Sequence, residues 1–206
     1  MSLSFTHPFT CIVSGPSGCG KTEFTIRLIN NADELIKPSV NRIIWCYGIY
    51  QERFANIENV HFHESLPSMQ TFENREPTLL ILDDLMRELS SSSAAVDLFT
   101  KGSHHMNLSV IFMTQNIFYK GKESRTMSLN THYFVLFKNP RDAQQVSVLA
   151  RQVFGTKWRY MLEAFADATT EPYSYLLVDL KPQTEDRLRL RANIFPGETN
   201  FVYVSK

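Results

Sequence analysis

A chain of 206 residues, 43% hydrophobic and 12% aromatic, carries enough apolar side chain for a sizeable core and lacks the composition of a disordered segment. Its 21 Lys plus Arg balance 21 Asp plus Glu, which excludes a polybasic binder and requires any polyanion to be met by a local patch. Cys11, Cys19 and Cys46 are too few for a disulfide framework and lack the paired spacing of a zinc site. With neither a secretory leader nor an apolar run near the ~18 residues of a membrane span, a soluble intracellular protein is expected.

The length predicts a single domain over residues 1–206, with a core from about residue 9 to 180 and a C-terminal β extension from about 181 to 206. Phe9 to Ser14 reads as the first strand, followed after a glycine-rich stretch by a helical run through Phe24, Leu28 and Ile29. Ile43 to Cys46 and Leu79 to Leu82 read as strands, and Ala94 to Lys101 as a short helix capped by Ser90 to Ser93 and closed by Gly102. Strands at Val110 to Met113 and Tyr133 to Phe137 follow. Val146, Leu149, Ala150 and Val153 then mark a helix with Asn139 as N-cap, Pro140 at its first position and Gly155 past its end. Trp158, Met161, Leu162 and Phe165 mark another behind Thr156, before a strand at Tyr175 to Val178. None of these apolar runs alternates with polar residues, so they read as strands covered on both faces, and their alternation with helices predicts an α/β fold around a mostly parallel sheet. Leu188 and Leu190 alternate with Arg187, Arg189 and Arg191 ahead of Pro196-Gly197 and Phe201 to Val204, the pattern of an antiparallel pair at the sheet edge with a basic face.

Gly15-Pro16-Ser17-Gly18-Cys19-Gly20-Lys21-Thr22 is a full match to G-x-x-x-x-G-K-[ST], the Walker A loop, set between a strand and a helix as that motif requires. Backbone amides along this loop and the start of the helix cradle phosphates, so the nucleotide-binding set runs from Gly15 to Glu23; Lys21 is expected to reach the β and γ oxygens and Thr22 to ligand Mg²⁺. Leu79-Leu80-Ile81-Leu82 ends in Asp83 and Asp84, a Walker B pattern. An acid at the end of a buried strand holds the Mg²⁺ sphere and a second one polarises the attacking water, which assigns Asp83 to the metal and Asp84 to the base. The 60 residues between Thr22 and Asp83 leave room for an additional strand, Ile43 to Cys46, and the guanine-specifying Asn-Lys-x-Asp is absent; both favour ATP. Thr114-Gln115-Asn116 places an amide at a strand end, where Gln115 would sense the γ-phosphate and couple hydrolysis to movement.

Phosphate loop, Leu-Asp-Asp strand and Thr-Gln strand together resemble the FtsK-HerA superfamily of ring-forming ATPases. More narrowly, the runs LLILDDLM, KGSHHMNLSVIFMTQNIFYKG, RTMSLNTHYFVLFKNPRDAQQV and LRLRANIFPGE resemble the genome-packaging ATPase of Polinton (Maverick) elements and adintovirus-type agents, a likeness that runs from about Phe9 to Val204. The resemblance implies a homo-oligomeric ring, a hexamer, that drives double-stranded DNA into a preformed capsid through its capsid protein or portal vertex. It also implies a location at assembly sites in the host nucleus or cytoplasm, or association with the virion. Two departures stand out: Asp83-Asp84 where many members have Asp-Glu, with Glu88 one turn on as an assisting acid, and His104-His105 where many have an arginine before the sensor strand. Arg125 and Arg141, both after the sensor strand, are the arginine-finger candidates.

Two basic stretches offer DNA contacts: Lys120, Lys122 and Arg125 after the sensor, and the face of Arg187, Arg189 and Arg191. The pairs His61/His63 and His104/His105 lack accompanying Cys or carboxylates at ligand spacing. Two rival functions remain: a nucleotide-binding scaffold or switch in virion assembly, and a small-molecule P-loop kinase. The kinase is disfavoured because the segment after the acids has no arginine-rich lid.

Overall fold

A computed structural model describes residues 4–85, 96–118 and 122–205. In chain order its strands are β1 (Phe5–Thr6), β2 (Thr10–Ser14), β3 (Ile36–Lys37), β4 (Arg42–Tyr47), β5 (His61–Glu64), β6 (Thr78–Asp83), β7 (Leu108–Thr114), β8 (Tyr133–Phe137), β9 (Tyr175–Asp179), β10 (Leu190–Ala192) and β11 (Phe201–Tyr203). The main helices are α1 (Lys21–Asn30), α2 (Lys122–Leu129), α3 (Gln144–Phe154) and α4 (Trp158–Ala168).

Nine strands of the described residues form one sheet in the order β11-β10-β9-β8-β2-β7-β6-β4-β5, while β1 and β3 pair separately. The run from β8 to β5 is parallel throughout; β9, β10 and β11 add to it antiparallel. Every residue of β2, β6, β7, β8 and β9 is buried, which is why these runs read as unbroken apolar stretches. Successive side chains go to opposite faces. Ile12, Leu80, Leu82, Val110, Phe112 and Leu136 meet Val146, Leu149, Met161 and Ala164 of α3 and α4. Val13, Leu79, Ile81, Ile111, Met113 and Val135 meet Phe24, Leu28 and Ile29 of α1 on the other side.

The additional strand expected at Ile43 to Cys46 forms as β4; it lies on the outer side of β6, while β7 lies between β2 and β6. Three expectations are revised. Helix α3 starts at Gln144, because the Asn139 side chain accepts from the Arg141 amide (3.1 Å) and its carbonyl from the Asp142 amide (3.3 Å), turning the chain before the helix begins. Gly102 does not close the preceding helix, which passes through it in right-handed conformation to His105; a Cβ there would lie 2.9 Å from Leu108 Cδ2, so glycine serves close packing. Residues 94 and 95, the serines before them and Glu88 lie outside the described residues.

The third concerns the C-terminal arginines, which share no basic strand face. Arg187 sits in a 3₁₀ turn, Asp186–Leu188, and pairs with Glu185 at 2.7 Å. Arg189 pairs with Asp186 at 2.8 Å and donates to the carbonyls of Asp179 and Lys181, both at 3.1 Å. Arg191 is buried in β10 against Asp179. Because β10 is covered on both faces, its arginine needs an internal partner and has one.

Candidate functional site

The sheet register brings the sequence motifs to one edge. Ser14 of β2 pairs with Thr114 of β7, and Asp83 of β6 pairs with Met113. Gly15, Asp84 and Gln115 therefore leave the sheet side by side at the C-terminal ends of three adjacent parallel strands, where open α/β sheets hold their ligands. The Gly15 amide donates to the Thr114 carbonyl at 3.2 Å, lacing the phosphate loop to the end of β7.

Glycine is required at several points of this loop. Gly18 and Gly20 have φ of 77° and 108°, in the left-handed region that an L side chain resists. A Cβ on the buried Gly15 would sit 2.6 Å from Cys19 Sγ and 2.7 Å from Phe137 Cβ, so the loop folds tightly over the end of β8. Pro16, Ser17 and Gly18 form its open rim, and α1 starts at Lys21, with the Phe24 amide donating to Gly20 O at 2.9 Å. Amides at the start of such a helix are natural anion donors, and the exposed Glu23 lies beyond them in the first turn.

Lys21 Nζ donates to the carbonyls of Gly15 (2.6 Å) and Pro16 (3.0 Å). Burial lowers its pKa, while Cys19, Asp83 and Asp84 oppose the shift; the two acids are thus close enough to act on the ammonium. Burial also pushes the Cys19 thiol up.

Asp83 is 8% exposed. Desolvation raises its pKa first of all; the Trp45 indole pulls the other way, the charge on Asp84 adds to the rise, and Lys21 and Arg53 oppose it. The indole approaches without closing a hydrogen bond of normal geometry, and Asp83 Oδ2 and Trp45 Nε1 both lack a partner among the described residues. A buried carboxylate oxygen left unpaired, with the Lys21 ammonium acting on it, fits a cation-binding role; carboxylate and hydroxyl oxygens such as those of Asp83 and Thr22 are the hard donors that Mg²⁺ takes. Asp84 is exposed, with φ of 54°, a left-handed conformation that Asp tolerates and most residues do not.

Gln115 is exposed and borders a cleft of about 430 Å³ lined by Pro16, Ser17, Asn116, Asn139 and Arg141. Arg141 therefore stands beside its own phosphate loop. Arg125 lies on an exposed turn of α2 and lines neither this cleft nor the cavity containing Lys21. The side chains of Lys122 and His104, and all of Lys120, are outside what is described. His61 and His63 are exposed on the edge strand β5.

Three residues at the site carry no motif. Gln145 Oε1 accepts from the amides of Ile117 (2.6 Å) and Phe118 (3.2 Å), and its Nε2 donates to Asn116 Oδ1 (3.2 Å) and Asp142. It thereby ties the segment after Gln115 to the loop bearing Arg141. Arg53, in the 3₁₀ turn Glu52–Asn56, reaches the cavity of Lys21 and Thr22, as does Tyr173. Their sequence neighbourhoods hold no glycine signature or strand end that would single them out.

No family model and no curated protein matches the chain. Solved structures do. The genome packaging NTPase B204 of Sulfolobus turreted icosahedral virus 2, in complex with ATP-gammaS, superposes over 85% of this chain and 94% of its own at 13% identity and a TM-score of 0.57. B204, the DNA-packaging ATPase of Sulfolobus turreted icosahedral virus, does so over 86% and 96% at 11% identity and 0.56. The fold is a P-loop ATPase fold. The cytoplasmic domain of the type VII secretion ATPase EccC of Thermomonospora curvata also superposes, over 89% of this chain and 25% of its own, at 14% identity and a TM-score of 0.54. No helix among the described residues is long and apolar enough to cross a membrane.

Proposed function

We propose that this chain is a Mg²⁺-dependent ATPase that works as a homo-oligomeric ring, of hexamer type, to move double-stranded viral-type DNA into a preformed capsid. The observation that carries the reading is the convergence of Lys21, Asp83, Asp84 and Gln115 at one sheet edge around a loop of phosphate-binding geometry. The fold shared with viral packaging ATPases supports it.

The loop amides and Lys21 bind the triphosphate, Lys21 exchanging the carbonyls of Gly15 and Pro16 for phosphate oxygens. Thr22 and Asp83 would hold Mg²⁺, which when bound would supply charge neutralisation for the transferring phosphoryl group. Asp84, exposed beside the metal acid, orients a water and accepts its proton. Gln115 contacts the γ-phosphate, and Gln145 carries its displacement to the loop of Arg141. Arg141 acts within the chain that binds the nucleotide; Arg125, exposed on α2, is the finger offered to a neighbouring subunit. Capsid protein or a portal vertex is the docking partner at assembly sites in the host nucleus or cytoplasm.

DNA contact is assigned to a local cluster. The guanidinium groups of Arg151 and Arg159 lie 4.4 and 5.2 Å from the Trp158 ring centroid, Lys157 sits beside them, and none of the three forms an ion pair among the described residues. Cations without counter-charges are free to replace the counterions of a phosphate backbone. The test is ATP turnover with and without linear duplex DNA across a salt series. Stimulation should be sequence-independent, fall steeply with salt and shrink when Arg151, Lys157 and Arg159 are all changed to Ala. Turnover indifferent to DNA at low salt would instead indicate a nucleotide-dependent scaffold.

A further inference from the structure

The cavity that contains Lys21 and Thr22, about 410 Å³, continues past the phosphate loop into a wall made by Tyr173, Tyr175, Phe195 and Arg27. None of these takes part in the hydrolytic chemistry above. Tyr173 is held unfavourably on two counts: its φ is 64°, a conformation that bulky residues rarely adopt, and 72% of it is exposed. The turn that fixes it is closed by the Ser174 amide and hydroxyl, which donate to the Glu171 carbonyl at 3.3 and 2.6 Å. Gly20 packs directly beneath; a Cβ there would meet Tyr173 Cβ at 3.4 Å and Cδ1 at 3.5 Å. The ring thus starts over the last glycine of the phosphate loop and has no aromatic partner among the described residues.

The facing wall is, by contrast, fully braced. Arg27 lies 4.0 Å over the Phe195 ring and is anchored by Glu198 at 2.6 Å. Phe195 and Tyr175 pack on Phe24 with centroids 5.3 and 4.8 Å apart, and the Tyr175 hydroxyl accepts from the Ile194 amide at 3.2 Å. One wall is therefore a rigid aromatic and cationic surface, and the other is an unpartnered ring displayed to solvent at the end of the cavity that a triphosphate would enter. No Asn or Gln side chain lines it, and apart from Lys21 of the phosphate loop its charged groups are the exposed Glu23 and Arg53 and the half-buried Arg27.

We infer that this end of the cavity is a nucleobase subsite in which Tyr173 stacks on the base against the Arg27–Phe195 wall, and that the substrate class is purine nucleoside triphosphates at large. The inference rests on the ATPase reading and deepens it. Every purine offers a π face, whereas strong discrimination requires polar groups built to pair with the base edge.

The test is direct titration of this 206-residue chain, with Mg²⁺, by ATP, GTP and inorganic tripolyphosphate, for the wild type, Tyr173→Ala and Tyr173→Phe. ATP and GTP should bind the wild type within about fivefold of each other, and both more tightly than tripolyphosphate. Tyr173→Ala should weaken both nucleotides by about 5- to 150-fold, the range of base–aromatic stacking, and leave tripolyphosphate unchanged, while Tyr173→Phe retains wild-type affinity. The subsite is refuted, with the phosphate site intact, if Tyr173→Ala binds ATP normally or if the wild type prefers one purine by more than about a hundredfold. Equal loss of tripolyphosphate in Tyr173→Ala also refutes it, since the residue would then act through Gly20. If the wild type binds neither nucleotide nor tripolyphosphate, the ATPase reading fails and the subsite with it.

Discussion

Arg191 Nη2 lies 2.6 Å from Asp179 Oδ2, with the two side chains only 4% and 5% exposed. This pair joins β10 to β9 within the antiparallel extension, and Asp179 Oδ1 also accepts the Lys181 amide at 3.0 Å. Removing one partner strands a buried charge, which costs about 3–5 kcal/mol. Arg191→Ala should therefore lose that much in denaturant unfolding, whereas Arg187→Ala, an exposed pair, should stay within about 0.5 kcal/mol of wild type. Equal small effects would mean that Arg191 reaches solvent in solution.

Asp83 should behave oppositely to a carboxylate stabilised by a partner. Its folded pKa is raised, mainly by desolvation, so between the unfolded and folded values the native state binds more protons than the unfolded one. Its contribution to stability is then greatest below the ordinary carboxylate pKa and is lost as pH rises through the folded value. Asp83→Asn should raise the melting temperature of nucleotide-free protein at neutral pH and abolish the further stabilisation that Mg²⁺ with ATP gives the wild type. A melting temperature lowered by Asp83→Asn would contradict the unpaired, desolvated carboxylate.

The left-handed backbone of Asp84 allows a clean test of its charge, because Asn tolerates that conformation too. Asp84→Asn should bind ATP within about twofold of wild type yet lose about 10²–10⁴-fold in turnover, the contribution of a positioned base. Lys21→Ala should instead weaken ATP binding itself. Near-normal turnover in Asp84→Asn would remove it from the mechanism.

Arg125 and Arg141 differ in position relative to their own phosphate loop, and subunit mixing separates them. A Lys21→Ala chain mixed with an Arg125→Ala chain should regain part of the lost ATPase activity, since one subunit supplies the site and the other the finger. The same mixture with Arg141→Ala should not recover, because that arginine stands beside the phosphate loop of its own chain. Rescue with Arg141→Ala alone would reverse the two assignments.

Gln145 should show its role in rate and not in affinity. It holds three groups of the segment after Gln115 together with Asp142, so Gln145→Ala should lower kcat by about tenfold with an unchanged ATP Kd. A matching loss of affinity would show that it supports the phosphate loop instead.

The phosphate-loop motif was legible because its chemistry constrains neighbours along the chain: tight glycines, a lysine and a threonine must follow one another for a loop to wrap an anion. Strand runs were legible because full burial on both faces leaves an unbroken apolar stretch, as in β2, β6, β7, β8 and β9. Tertiary structure alone decided which strands are neighbours. It set β7 between β2 and β6, and so brought Gln115 beside Gly15, because pairing order depends on how helices cover each face and leaves no mark in local composition. It also decided the fate of the charges. Arg191 looked like Arg187 in an alternating run, yet one is sealed against Asp179 and the other faces water, since a charge reveals its burial only through a partner distant in sequence. Arg53, Gln145 and Tyr173 reach the site from a 3₁₀ turn, a helix start and a strained turn. Such placements come from the packing of separate elements, which no spacing along the chain encodes.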